Sequence, residues 1–238
     1  MIMQTTSLLS HAPHDCPSPS LYSNPIHTNE EGFFASDILT LNLAAYASQT
    51  RVLGPGQRAG VWVQGCPFHC PGCIAPEWIP QVENRRVQVQ VLAQQILSTP
   101  VTGLTFSGGE PFLQAEALAA LARQVRQERD VDLIVFSGFT LEALQSRASA
   151  SALLEQCDLL VDGGYVARRD TGVGLRGSDN QRFHYLSSRL VDCGYDFERA
   201  ERGLELHFQE SGLLVVGIPA AETQLRLERA LAAAQGGI

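Results

Sequence analysis

Lysine is missing from the 238 residues, so all 17 basic side chains are arginine. That absence removes lysine Schiff-base chemistry, pyridoxal phosphate attachment and the P-loop lysine together. Long apolar runs are missing too, none reaching the roughly 18 to 20 residues that cross a bilayer. The N-terminus has no basic segment followed by an apolar one, so no secretory signal is indicated. The expectation is a cytoplasmic protein with no membrane partner. A positive balance is also lacking: at a formal charge of −8 the chain offers no electrostatic footprint for nucleic acid.

What is present, 45% apolar residues over this length, suits one well-buried domain with small additions. Residues 1–35 are rich in Ser, Pro, Thr, Asn and His without periodicity, and read as a mobile leader. From Ile38 the pattern changes. "ILTLNLAAYA" and "GVWVQG" read as strands, and "VQVLAQQIL", "GLTF", "FLQAEALAALARQVRQ", "DLIVF", "TLEALQSRA" and "DLLVD" then alternate between helix and strand. Leu118, Leu121, Ala122 and Val125 stand at i, i+3, i+4 and i+7, the spacing of a one-sided helix. Val87, Val89 and Val91 have period two, which weakens the helical reading there. The short runs of adjacent apolar residues suit strands buried on both faces. Such alternation predicts an α/β fold with a parallel sheet, its functional groups at the C-terminal strand ends. In the tail, "GLELHFQESGLLVVGIPA" reads as a β-hairpin and "AETQLRLERALAAAQ" as a helix. The expected organisation is a leader (1–35), a core (36–190) and a hairpin-plus-helix extension (191–238).

Three of the six cysteines fall in "GCPFHCPGC" as Cys66, Cys70 and Cys73. A closed structural zinc site takes four protein ligands, whereas three thiolates can hold an iron–sulfur cluster with one iron left open. Spacing favours iron. Zinc completed by Cys157, Cys193 or a histidine stays open at this point. "SGGEP", Ser107 to Pro111, follows the strand "GLTF" and leads into a helix. Gly108 and Gly109 allow close backbone approach to a ligand, Glu110 supplies a carboxylate for an amine, and Pro111 suits a first helical turn. "GVGLRG", residues 172–177, spells G-x-G-x-x-G but follows a polar stretch and opens no helix, so a nicotinamide site is rejected.

The cysteine loop and "SGGEP" together resemble the radical S-adenosylmethionine enzymes, and within them the activating proteins of anaerobic ribonucleotide reductase. The carrying stretches are "QGCPFHCPGCIAPEW", "TFSGGEPFLQAEAL", "IVFSGFTLEAL", "LLVDGGYVARR" and "LRGSDNQR". Gly72 stands where many superfamily members have an aromatic residue, in keeping with the activase-like "CPGC" version.

The resemblance implies a partial (β/α) barrel of radical S-adenosylmethionine type. It implies a 4Fe-4S cluster on Cys66, Cys70 and Cys73, with S-adenosylmethionine at the open iron and its amino group on the Gly108–Glu110 segment. Ser137 and Gly138, on the same rim, are expected beside the cofactor. Asp162, Arg176, Asn180 and Arg182 are expected near substrate or partner. No protein acid or base beyond the cluster ligands need be catalytic. The implied partners are a glycyl-radical enzyme as substrate and an electron donor such as flavodoxin or ferredoxin. The leader and extension lie outside the resemblance, which keeps a peptide or small-molecule substrate in play; the rival of another class is a non-catalytic iron–sulfur or zinc protein.

Overall fold

The computed structural model describes residues 2–6, 38–209 and 212–235. In chain order its strands and helices are β1 (Ile2–Thr6), β2 (Thr40–Thr50), β3 (Arg58–Val63), β4 (Arg85–Gln88), α1 (Val89–Leu97), β5 (Gly103–Gly108), α2 (Ala115–Glu128) and β6 (Asp132–Ser137). There follow α3 (Leu141–Gln145), α4 (Ser151–Leu154), β7 (Leu159–Asp162), β8 (Arg182–Tyr185), β9 (Leu204–Gln209), β10 (Gly212–Gly217) and α5 (Ala221–Gln235). Seven strands form one sheet in the order β4-β2-β3-β5-β6-β7-β8. Its centre, β3 through β7, is parallel, and β2, β4 and β8 add to it antiparallel. The architecture is therefore mixed α/β, built on a large sheet with a parallel centre.

Both faces of that centre are buried, as the runs of adjacent apolar residues require, but they are covered differently. On one face Val61, Leu104, Phe106, Leu133, Val135 and Leu160 pack with Leu92, Ile96, Leu118, Leu121 and Val125 of the helices. The alternate residues turn the other way. Trp62 joins Ala45, Ala47, Trp78, Leu214 and Val216, while Ile134, Leu159 and Val161 join Leu175, Leu190, Phe197 and Ile218. Among the described residues the second face is thus filled by irregular chain and by β10, without a helix layer.

The period-two valines resolve into two elements: Val87 lies in β4 and Val89 begins α1. The predicted hairpin forms, Leu204–Gln209 pairing with Gly212–Gly217, and α5 follows it. One expectation needs correction. Ile2–Thr6 of the assumed leader pairs antiparallel with β10, making a second sheet of order β1-β10-β9. Five residues are too few to show a periodicity, and it is pairing that makes a strand of them. Residues 7–35 of that leader, with His11, His14 and Cys16, lie outside the described residues. Among the described residues no helix is long and apolar enough to cross a membrane.

Candidate active site

The cysteine loop leaves β3 at the C-terminal end of the parallel strands and is tied shut at its base. Gly65 N donates to Trp78 O (2.9 Å) and Cys66 N to Ile79 O (2.9 Å). Buried Gln64 reinforces the closure, its Nε2 donating to Glu77 O (3.1 Å) and Pro80 O (2.8 Å). Within the loop Cys73 N donates to Cys70 O (3.0 Å), and all three cysteines are half-buried. Phe68 anchors the tip. Its ring lies so close to Gly138 that a Cβ there would come within 2.5 Å of it, and it meets Phe139 edge-on at 4.7 Å. The Arg147 guanidinium stacks 4.1 Å from the centre of the Phe139 ring.

"SGGEP" passes directly beneath. Gly109 N donates to Val63 O (2.7 Å) and Glu110 N to Gly65 O (2.8 Å). Gly108 has φ +114, and a Cβ on it would lie 2.3 Å from Val63 N; a Cβ on Gly109 would lie 2.1 Å from Gly65 O. This changes the reading of the two glycines: the close approach they permit is to the backbone at the root of the cysteine loop. The Glu110 carboxylate is fully buried. It accepts from Phe112 N (3.0 Å), Ser137 Oγ (3.0 Å) and Gly138 N (2.8 Å). Burial pushes its pKa up to about 7, against those hydrogen bonds, which pull it down. Among the described residues no cation forms an ion pair with it.

Cys66, Cys70 and Cys73, Gly108–Glu110, Ser137 and Gly138 all line one open cavity of about 820 Å³, together with Phe68, Trp78, Gly163, Tyr165, Gly177, Gln181 and Ile218. Burial raises the Cys66 thiol to about 11 and raises that of Cys73. As placed, the thiols face the cavity without converging on one point, and no chelating group of three or more His, Cys, Asp or Glu is assembled among the described residues. The zinc alternatives find no support in placement. Cys157 is buried in the helix-side core, and exposed Cys193 has its thiol on Leu190 O.

Other expected residues stand away from the cavity. Pro111 opens a 3-10 turn and does not line it. Asp162 is wholly buried and occupied structurally, accepting from Leu141 N (2.6 Å) and Arg182 Nη2 (2.6 Å) and lying 3.0 Å from His184 Nε2. It therefore accepts the first N–H of α3, whose N-cap is Thr140, and does not line the cavity. Arg182 is shared between Asp162 and Glu142. Arg176 Nη1 donates to Gln181 O (3.0 Å), and Asn180 Nδ2 to Gly164 O (2.8 Å). From that polar group it is Gln181 that reaches the cavity wall. Its Oε1 accepts from Gly177 N (2.7 Å) and Ser178 N (3.2 Å), and its Nε2 donates to Gly163 O (2.8 Å). Phe68, Trp78 and Tyr165 were embedded in quoted motifs with no chemical pattern of their own, and Ile218 lies outside every motif.

A family model described as "4Fe-4S single cluster domain" matches residues 52–184. An anaerobic ribonucleoside-triphosphate reductase-activating protein of Vibrio cholerae serotype O1 is 33% identical over 153 residues, 60% of this chain and 97% of its own. Proteins of the same name from Pasteurella multocida (32% over 154 residues, 59% of this chain and 95% of theirs) and Escherichia coli K12 (29% over 157 residues, 61% and 99%) agree. Among solved structures, QueE from Escherichia coli superposes on 54% of this chain and 72% of its own with a TM-score of 0.39 at 14% identity, too loosely to carry an argument. The family match spans over half of this chain, and the Vibrio relative is covered almost whole. The chain belongs to the 4Fe-4S single cluster domain family, among the anaerobic ribonucleoside-triphosphate reductase-activating proteins.

Proposed function

We propose that the cavity holds a 4Fe-4S cluster on Cys66, Cys70 and Cys73 and S-adenosylmethionine beside it, and that the protein activates a glycyl-radical enzyme such as anaerobic ribonucleotide reductase. The observation that carries this reading is a buried carboxylate in no ion pair among the described residues, Glu110, in the same cavity as three thiols from one short loop. The donor set fits the group. Three cysteines leave one iron for a non-protein ligand, and all three come from one short loop and line the same cavity. Ligation displaces the protons that burial holds on Cys66 and Cys73. Glu110 supplies the counter-charge for the ammonium of the amino acid moiety, and Ser137 and Gly138 hold that carboxylate in place.

Held by Cys66, Cys70 and Cys73, a reduced cluster would supply one electron for reductive cleavage of S-adenosylmethionine, and the pair would together supply the hydrogen-abstracting chemistry. The chain's own part is to orient and to exclude water: Phe68 and Trp78 provide an apolar wall, and Gly163, Gly177 and Gln181 a second wall of backbone and amide. We read the parallel centre with helices on one face as a partial (β/α) barrel of radical S-adenosylmethionine type. The reductant in this reading is a flavodoxin or ferredoxin, and the compartment the cytoplasm.

The test is anaerobic reconstitution with iron and sulfide, then dithionite and S-adenosylmethionine, with and without a candidate glycyl-radical protein. The expected products are 5'-deoxyadenosine and methionine, and a glycyl radical signal when the partner is present. A stable cluster that yields neither product sinks the enzymatic reading; products without the radical sink the partner.

A further inference from the structure

The C-terminal extension lies beyond residue 184, where the family match ends, yet it reaches the cavity at two points. Ile218 lines the cavity directly. Arg202 is linked to it indirectly, through a chain of hydrogen bonds. Its side chain is 4% exposed and its Nη1 lies 2.7 Å from Asp170 Oδ1. Nε donates to Gly174 O (3.2 Å), and Nη2 to Arg176 O (2.5 Å) and Val173 O (3.2 Å), with Gly177 O at 3.4 Å. One guanidinium thus gathers a carboxylate and four carbonyls of a single turn, which its planar fork of five N–H donors allows.

The turn is moulded on the extension by its backbone as well. Gly174 N donates to Ala200 O (2.9 Å) and Leu175 N to Phe197 O (2.8 Å), and Val173 bridges Glu201. Gly174 has φ +79, and a Cβ there would stand 2.5 Å from Glu198 O. Beyond the turn, Gly177 is held through Gln181 to Gly163, and the Tyr165 ring lies against it, within 2.9 Å of where a Cβ would be. Next to Tyr165, a Cβ on Gly164 would stand 3.9 Å from Cys70 Sγ.

We propose that Arg202 is a positioning residue for the cofactor cavity, fixing the 170–177 turn so that Gly177, Gln181 and Tyr165 form the wall beside Cys70. The inference rests on the cofactor reading of the cavity and extends it to a residue outside the family match. Arg202 touches neither the cavity nor the thiols, so its loss should spare ligation and loosen the wall.

The experiment compares the full chain with Arg202→Gln and Arg202→Lys after anaerobic reconstitution. Iron per chain, S-adenosylmethionine affinity by equilibrium dialysis, the change in the reduced cluster's EPR spectrum on cofactor addition, and the rate of iron release to a chelator are measured. Expected are unchanged iron loading, roughly ten-fold weaker cofactor binding, faster iron release and a diminished spectral change. Lysine, a point charge that still meets Asp170 but cannot span the carbonyls, should recover thermal midpoint more than affinity. Variants that lose thermal midpoint but bind and release like wild type would reduce Arg202 to a fold-holding residue and overturn the proposal. Should Arg202→Gln fail to fold, hydrogen exchange on the wild-type chain decides: the cofactor should protect residues 172–177 and 197–202 together, and protection confined to 172–177 is the contrary result. A wild-type chain that builds no cluster and binds no cofactor refutes the cavity reading itself, and the proposal falls with it.

Discussion

Glu110 is costly to bury and is not balanced by any arginine in an ion pair, so its protonation should be linked to ligand binding. Its folded pKa of about 7 stands above the ordinary 4.5; the folded chain therefore binds the extra proton, and without cofactor stability falls as pH rises through that interval. An ammonium ligand reverses the preference by favouring the carboxylate. Affinity for S-adenosylmethionine should then drop as pH falls below about 7, and binding near pH 6.5 should release a proton, seen by calorimetry in buffers of different ionisation heat. Glu110→Gln should weaken binding roughly ten- to hundred-fold, the worth of a hydrogen bond to a charged group, and abolish the proton release while leaving iron loading intact. Gly109 makes a different kind of demand. A Cβ there meets backbone oxygen, Gly65 O at 2.1 Å, so no side chain can yield. Gly109→Ala should cost on the order of 3 kcal/mol in urea unfolding and lower iron loading, because what must move is the root of the cysteine loop. "SGGEP" announced a glycine-dependent close approach, but only the register that sets Val63 beside Gly108 shows that the approaching partner is protein.

Strands β3 and β5 carry separate chemistry at their two ends. At the start of β3, Arg58 is wholly buried and donates to Thr105 Oγ1 (2.7 Å), Leu104 O (2.6 Å) and Asp132 Oδ1 (2.5 Å). It ties β3 to β5 and β6. Arg58→Gln leaves Asp132 and three further acceptors, Thr105 Oγ1, Leu104 O and Pro55 O, short of partners and should cost about 3–5 kcal/mol. Because the cavity is at the opposite ends of these strands, cofactor affinity of the folded fraction should hold; a parallel loss would show that the ends are coupled. These elements were largely legible. The helix spacing at Leu118–Val125 is a one-sided pattern that packing only had to accept, and all four of its residues are fully buried. β8 was not legible, since Arg182–Tyr185 alternates weakly and is polar at its start; its pairing with β7 is a tertiary event. The same holds for Asp162: one carboxylate after a strand can serve a ligand or a helix end, and only the fold shows the Leu141 N–H opposite it.

At the scale of the whole molecule, the sheet has a helix layer on one face and depends on its C-terminal extension for part of the other. Sequence motifs stop near residue 190 because they report chemistry, whereas the residues that cover this face, Leu214, Val216 and Ile218, report only apolar burial. Their partners include Trp62 and Trp78, the chain's two tryptophans, exposed by 0% and 1% and 6.4 Å apart. Intrinsic emission therefore reads this one interface. Deleting residues 204–238 would uncover Trp62, Ile134 and Leu159 at once; at roughly 25 cal/mol per Å² of apolar surface returned to water, a few such side chains are comparable with the roughly 5–15 kcal/mol margin of a typical domain. The truncated chain should show red-shifted tryptophan emission and lose its cooperative unfolding transition. Leu214→Ala, a single-cavity change of about 2–5 kcal/mol, should keep the transition but lower its midpoint and broaden the emission. A truncated chain with native emission and a cooperative transition would mean that the extension only caps the sheet, and the chain through residue 203 would then qualify as able to fold without it.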